Sequence, residues 1–141
     1  MPKDLAAKVV ESFVRVRYAE TDAMGIVYHA NYLVWMEIGR TDYFRSMGLT
    51  YRDLERDYNL YIPLAEARCR YLAPAFYDDE LVVHTSVSQI NRRLVKFSYQ
   101  INHKEDSHRL AEGETIHLVV NAQRQRTSFP AKILAMFLQE M

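Results

Sequence analysis

The sequence predicts an α+β fold in which one long helix is wrapped by a curled antiparallel sheet of about five strands. Three observations predict it. The element order reads as one strand, a long helix, a short helix, four successive strands and a last helix. Strands joined by short turns pair antiparallel, because a parallel pair needs a long crossover. The helix, from about Ala30 to Met47, spans roughly 27 Å, whereas strands of about 11 to 13 residues span roughly 36 to 43 Å and curl around what they cover. The first half of the helix is apolar on almost every side. Wrapping the sheet around it hides both.

Each element has its own signal. Val10, Ser12, Val14, Val16 and Tyr18 alternate with Glu11, Phe13, Arg15 and Arg17, the period of a half-buried strand. A polar connector, Ala19 to Tyr28, follows. Tyr32, Trp35, Met36, Gly39, Tyr43 and Met47 then share one helical face, while Leu33, Val34 and Ile38 occupy the other sides, so protein is expected around most of the circumference. Gly48 and Leu49 read as a glycine stop with its hydrophobic contact. Thr50 and Asp53 suggest a capped short helix to about Asp57. Ala65 to Tyr71, Leu81 to Val87 and Val95 to Ile101 alternate as strands, and Arg109 to Asn121 reads as a long final strand. Gly113 within it suggests a bulge or a close backbone approach. Asn91-Arg92-Arg93 and His103 to Ser107 read as turns. Ser128-Phe129-Pro130 opens a C-terminal helix carrying Ile133, Leu134, Phe137 and Leu138. No repeat or linker divides the 141 residues, so residues 1–141 are expected to form one domain with residues 1–8 loose.

Composition excludes several classes of protein. Lys and Arg number 18 and Asp and Glu number 18. That balance argues against a nucleic-acid binder or a protein drawn to anionic membranes. One cysteine, Cys69, excludes an internal disulfide and a cysteine-rich zinc site. No apolar run follows the N-terminal charges and none approaches the roughly 18 residues of a membrane span. A cytoplasmic location is expected. His84, His103, His108 and His117 show no metal-ligand spacing, and no metal or cofactor is expected.

The informative stretch is the connector. Glu20, Asp22 and Gly25 sit in a loop that feeds the start of the long helix, where the first backbone N–H groups have no partner within the helix. Such groups, with the helix dipole, favour an oxygen acquiring negative charge. A carboxylate beside them supplies the second part of an acyl-transfer site. The residues alone favour Asp22 capping its own turn and His29 merely packing.

The run Arg17-Tyr18-Ala-Glu-Thr-Asp22-Ala-Met-Gly25-Ile-Val-Tyr28-His29-Ala-Asn31-Tyr32 closely resembles the signature of hotdog-fold thioesterases of the 4-hydroxybenzoyl-CoA thioesterase family. It resembles in particular the small bacterial acyl-CoA thioesterases associated with the Tol-Pal system. The similarity continues through Glu37-Ile-Gly-Arg40-Thr, Gly48-Leu49, Tyr71-Leu-Ala-Pro74-Ala and Tyr77-Asp78-Asp79, over most of the chain from about Phe13 to Asn121. The resemblance implies hydrolysis of an acyl-CoA to free acid and CoA. Asp22 matches the family's essential carboxylate, nucleophile or general base. His29 matches the residue at the helix start whose backbone N–H binds the thioester oxygen. Tyr28 and Asn31 flank it as substrate-binding candidates. Family sites form between subunits, which implies a homodimer or homotetramer.

Coenzyme A carries phosphates, so cations are expected near the mouth of the site; Arg92 and Arg93, or Arg124 and Arg126, are candidates. Glu66 reads as an ordinary strand residue and Cys69 as buried packing. The alternative reading is a non-catalytic module that binds acyl-CoA or acyl-carrier protein. A dehydratase of the same fold needs a histidine and a carboxylate placed differently.

Overall fold

The computed structural model describes residues 8–140. The expectation of a loose N-terminus therefore lies almost wholly outside the described residues. Five strands form one antiparallel sheet: β1 (Val10–Arg15), β2 (Leu64–Tyr71), β3 (Glu80–Ile90), β4 (Leu94–His103) and β5 (Arg109–Leu118), in the spatial order β1-β3-β4-β5-β2. Three helices accompany it: α1 (Asn31–Ser46), α2 (Tyr51–Tyr58) and α3 (Ala131–Glu140). The strands are 6 to 11 residues long, shorter than the sequence suggests.

Two ends differ from expectation for local reasons. β1 stops at Arg15 rather than Tyr18 because Tyr18–Glu20 coil into one 3-10 turn, whose N-terminus is closed by the Glu20 carboxylate accepting the Arg17 N–H at 2.8 Å. β5 stops at Leu118 rather than Asn121 because Val120 leaves β5's pairing for isolated bridges to Tyr61 and Arg126. The turn at Asn91 lacks glycine, and the Asn91 side chain closes it instead, its Oδ1 accepting the N–H groups of Arg93 and Leu94 at 2.8 and 3.0 Å. Gly48 takes a φ of 84° after α1, and the buried Leu49 returns its N–H to the Phe44 carbonyl. Thr50 and Asp53 cap α2 reciprocally.

α1 lies against the concave face of the sheet. Tyr32, Trp35, Met36, Gly39, Tyr43 and Phe44 are buried there. The approach is closest at two glycines. A Cβ on Gly39 would strike the Thr85 side chain of β3, and one on Gly113 of β5 would strike the Met36 methyl and the Arg68 carbonyl. Gly113 thus marks a close approach, with no bulge at that residue. The Ser12 hydroxyl of β1 donates to Asp42 of α1 at 2.6 Å and ties the later part of the helix to the sheet edge. Phe137 of α3 packs against Tyr43 and Phe44. Among the described residues, however, one side of α1 is not covered as expected. Leu33, Val34 and Ile38 remain 39%, 49% and 38% exposed. That side of the helix is left partly open among the described residues.

Candidate active site

The loop that leads to α1 is built from short backbone bonds. The Asp22 N–H donates to the Ile26 carbonyl and the Gly25 N–H to the Asp22 carbonyl, both at 2.9 Å. Gly25 has a φ of 81°, a conformation open to glycine at little cost. The Val27 N–H donates to the Ala75 carbonyl at 2.9 Å and docks the loop on the segment before β3. The Glu20 carbonyl accepts both the Tyr28 N–H at 2.8 Å and the Asn31 side-chain amide at 2.9 Å. Asn31 thereby braces the loop against the first residue of α1.

Asp22 plays two parts. Its Oδ1 accepts the Met24 N–H at 2.8 Å, the turn-capping arrangement that short polar side chains favour. Its Oδ2 has no partner among the described residues. The start of α1 is equally open. No side chain caps it; the N-cap residue is Ala30. The N–H groups of Asn31, Tyr32 and Leu33 turn back to the carbonyls of Tyr28, His29 and Ala30. The N–H groups of His29 and Ala30 have no acceptor among the described residues. Two unpaired donors at the positive end of a helix form an anion-accepting corner.

Asp22 and His29 line one cavity of about 450 Å³, together with Met24, Ile26, Val27, Tyr32, Tyr71 and the stretch Leu72 to Pro74. Tyr71 reaches in from the end of β2, and its hydroxyl donates to the His29 carbonyl at 2.9 Å. Burial pushes the Tyr71 phenol up to about 12, with Cys69 beside it adding to the effect, and burial likewise pushes Tyr32 up to about 12. Both remain protonated at neutral pH.

Of the residues singled out from sequence, Asp22 and His29 come together on this wall. Tyr28 does not line it; the residue is 48% exposed and its ring lies against the His29 ring at 4.3 Å. Asn31 is engaged with Glu20. Arg92 and Arg93 sit in the β3–β4 turn, at the far end of an 11-residue strand, roughly 36 Å from the end of the sheet nearest Asp22. Arg124 and Arg126 follow β5 at that same far end. None of the four approaches Asp22 within one chain. Glu66 is exposed on β2, and Cys69 is half-buried rather than fully packed away. Met24, Ile26, Val27, Tyr32 and Tyr71 to Pro74 are the wall residues that site reasoning from sequence passed over. All of them belong to the motifs quoted above, which was their available signal.

The ligand atoms of His103, Asp106 and His108 lie within 4.8 Å of one another, a proximity that the sequence spacing concealed. Their atoms already serve the β4–β5 turn: Asp106 Oδ1 accepts the His108 N–H at 3.1 Å and lies 2.6 Å from the His108 ring. Larger hollows occur elsewhere, one of about 660 Å³ beside Tyr51 and Tyr61 and one of about 570 Å³ beside Arg68 and Tyr99. Neither is lined by the paired set of a half-free aspartate and open helix-start amides.

Residues 16–137 match the model of a family described as the thioesterase-like superfamily. YneP of Bacillus subtilis is 44% identical over 62% of this chain; the match spans 63% of YneP, less than two thirds of its length. The acyl-CoA thioester hydrolase YbgC of Escherichia coli is 30% identical over 89% of this chain and 93% of its own. Among solved structures, a DHNA-CoA thioesterase from Staphylococcus aureus is 25% identical with a TM-score of 0.87, covering 93% of this chain and 89% of its own.

Proposed function

The chain belongs to the thioesterase-like superfamily, and from that premise we propose that it is an acyl-CoA thioester hydrolase working through Asp22 and the open start of α1. The single observation that carries this reading is the shared cavity: Asp22, whose carboxylate is half-free, and His29, whose N–H has no acceptor among the described residues, line one space. In this scheme the thioester carbonyl oxygen accepts the His29 N–H. As the carbonyl carbon becomes tetrahedral, its oxygen gains negative charge next to the positive end of the helix. Donors fixed in advance stabilise that charge without reorganising. Asp22 Oδ2 either takes a proton from the attacking water or itself attacks the carbonyl carbon, expelling the thiolate and forming an anhydride that water then hydrolyses to the free acid and the restored carboxylate. The leaving thiolate is a good one, since an ordinary thiol ionises near 8.5. So a sparse site without a dedicated acid suffices.

The same reading includes an oligomer. β2 lies at the edge of the sheet with one side unpaired among the described residues, and an exposed edge of eight residues invites another strand. The uncovered Leu33, Val34 and Ile38 side of α1 would be buried in such an assembly. A second copy would also bring its own Arg92 and Arg93 toward a CoA phosphate, which one chain alone does not. Among the described residues no helix is long and apolar enough to cross a membrane, and we place the enzyme in the cytoplasm.

A thiol-release screen of the purified protein over short, long and aromatic acyl-CoA substrates tests the activity. Catalytic release of CoA from at least one of them is expected. Tight acyl-CoA binding without release would instead favour a binding module.

A further inference from the structure

The peptide joining His29 to Ala30 is held from one side only. Its carbonyl accepts the Tyr71 hydroxyl at 2.9 Å and, less closely, the Tyr32 N–H at 3.4 Å. Its N–H, that of Ala30, has no acceptor among the described residues, and neither has the neighbouring His29 N–H. A peptide unit is planar and trans, so fixing its C=O fixes the direction in which its N–H points. A hydrogen bond to the carbonyl also polarises the unit and strengthens the N–H as a donor.

Tyr71 is itself well placed to do this. It comes from β2 and not from the loop or the helix, so the sheet steadies the helix mouth from outside. Its ring meets Tyr32 edge-on at 5.1 Å and His29 at 6.3 Å. Ring packing and hydroxyl bonding are therefore separable. The phenol stays protonated at neutral pH, which makes it a standing donor to His29.

We propose that Tyr71 is a positioning residue for the oxyanion corner: its hydroxyl sets the His29–Ala30 peptide so that the Ala30 N–H serves beside the His29 N–H as a second donor to the thioester oxygen. This rests on the acyl-transfer reading given above. Tyr71 touches no reacting atom in this role; it acts through the peptide.

Tyr71→Phe keeps the ring contacts and deletes only the hydroxyl. Wild type and variant are compared in kcat and KM for an acyl-CoA, in melting temperature, and in the backbone ¹⁵N resonance of Ala30, which responds to hydrogen bonding at the preceding carbonyl. The expected result is a kcat lowered about tenfold, a KM within about twofold, an unmoved melting temperature and a displaced Ala30 resonance. The loss is smaller than the roughly 10²- to 10³-fold of removing an oxyanion donor outright, because the N–H remains and loses only its aim. A wild-type kcat or an unmoved Ala30 resonance overturns the proposal. So does a variant whose KM and melting temperature shift along with kcat, since that marks a merely structural residue. If the wild type hydrolyses no acyl-CoA, the acyl-transfer reading fails, and the Ala30 resonance still decides whether Tyr71 sets that peptide.

Discussion

Gly39 of α1 rests so close to Thr85 of β3 that a single added methyl would collide with the threonine Oγ1. Thr85 is fully buried, and its Oγ1 has no hydrogen-bond partner among the described residues. This contact, with Met36 over Gly113, sets how near the helix lies to the sheet and hence where the helix mouth meets the Asp22 loop. Gly39→Ala is expected to lose about 1–3 kcal/mol to overpacking, offset in part by about 1 kcal/mol of helix propensity. Thr85→Ala removes the colliding atom, so the double variant should recover most of that loss. Urea melts of the four proteins check this. Additive single effects would contradict the close packing.

His117 makes stability fall in mild acid. It is buried on β5 with Nε2 2.9 Å from the Thr115 hydroxyl, which in turn lies 2.6 Å from the Tyr99 hydroxyl. Burial, and then the nearby Arg40 charge, pushes the imidazole down to about 4. An unfolded histidine ionises near 6.5. Between about 6.5 and 4 the unfolded chain takes up a proton that the folded chain refuses. Stability therefore drops as pH is lowered through this window, by up to about 3 kcal/mol, and this contribution levels off below it. Denaturant melts at pH 7, 5.5 and 4 measure the slope. His117→Gln should show a shallower loss over the same range; an identical slope would remove His117 from the account.

Much of this arrangement is legible in the sequence wherever local periodicity decides the structure. Val95 to Ile101 alternates within β4, α1 lies within a residue of the expected Ala30 to Met47 at each end, and its expected face is buried from Tyr32 to Tyr43, with Met47 just past the helix and half-buried. That Asp22 and His29 line one cavity is legible because loop and helix start are contiguous, whereas the roles proposed for them come from the resemblance. Tyr71 is not legible in the same way, since its alternation announces only a strand residue. Its role depends on a bond to a backbone carbonyl 42 residues earlier. The shortened β1 was hidden too, because Glu20 closing on the Arg17 N–H overrides an alternation that runs on to Tyr18. Nor does spacing alone reveal that the Arg92 turn lies a strand's length from Asp22.

The exposed side of α1 carries a further expectation. Val34, 49% exposed among Leu33 and Ile38, is well placed to be covered by a second copy of the chain. Val34→Glu would bury a carboxylate in that contact, a strongly unfavourable exchange. Sedimentation at micromolar concentration should show an oligomer for wild type and a monomer for the variant. A monomeric wild type, or a variant that assembles equally well, would contradict a shared interface.

The most direct measurement of the central claim is the kcat of Asp22→Asn. Asparagine keeps the shape, and its side-chain oxygen can still accept the Met24 N–H. Only the basic and nucleophilic oxygen is lost. For an acyl-CoA that the wild type hydrolyses, thiol release should fall by about 10²- to 10⁴-fold, the usual contribution of a positioned acid or base, with the fold unchanged by circular dichroism. A variant that releases CoA as fast as the wild type would show that the carboxylate beside the open helix start is not what breaks the thioester.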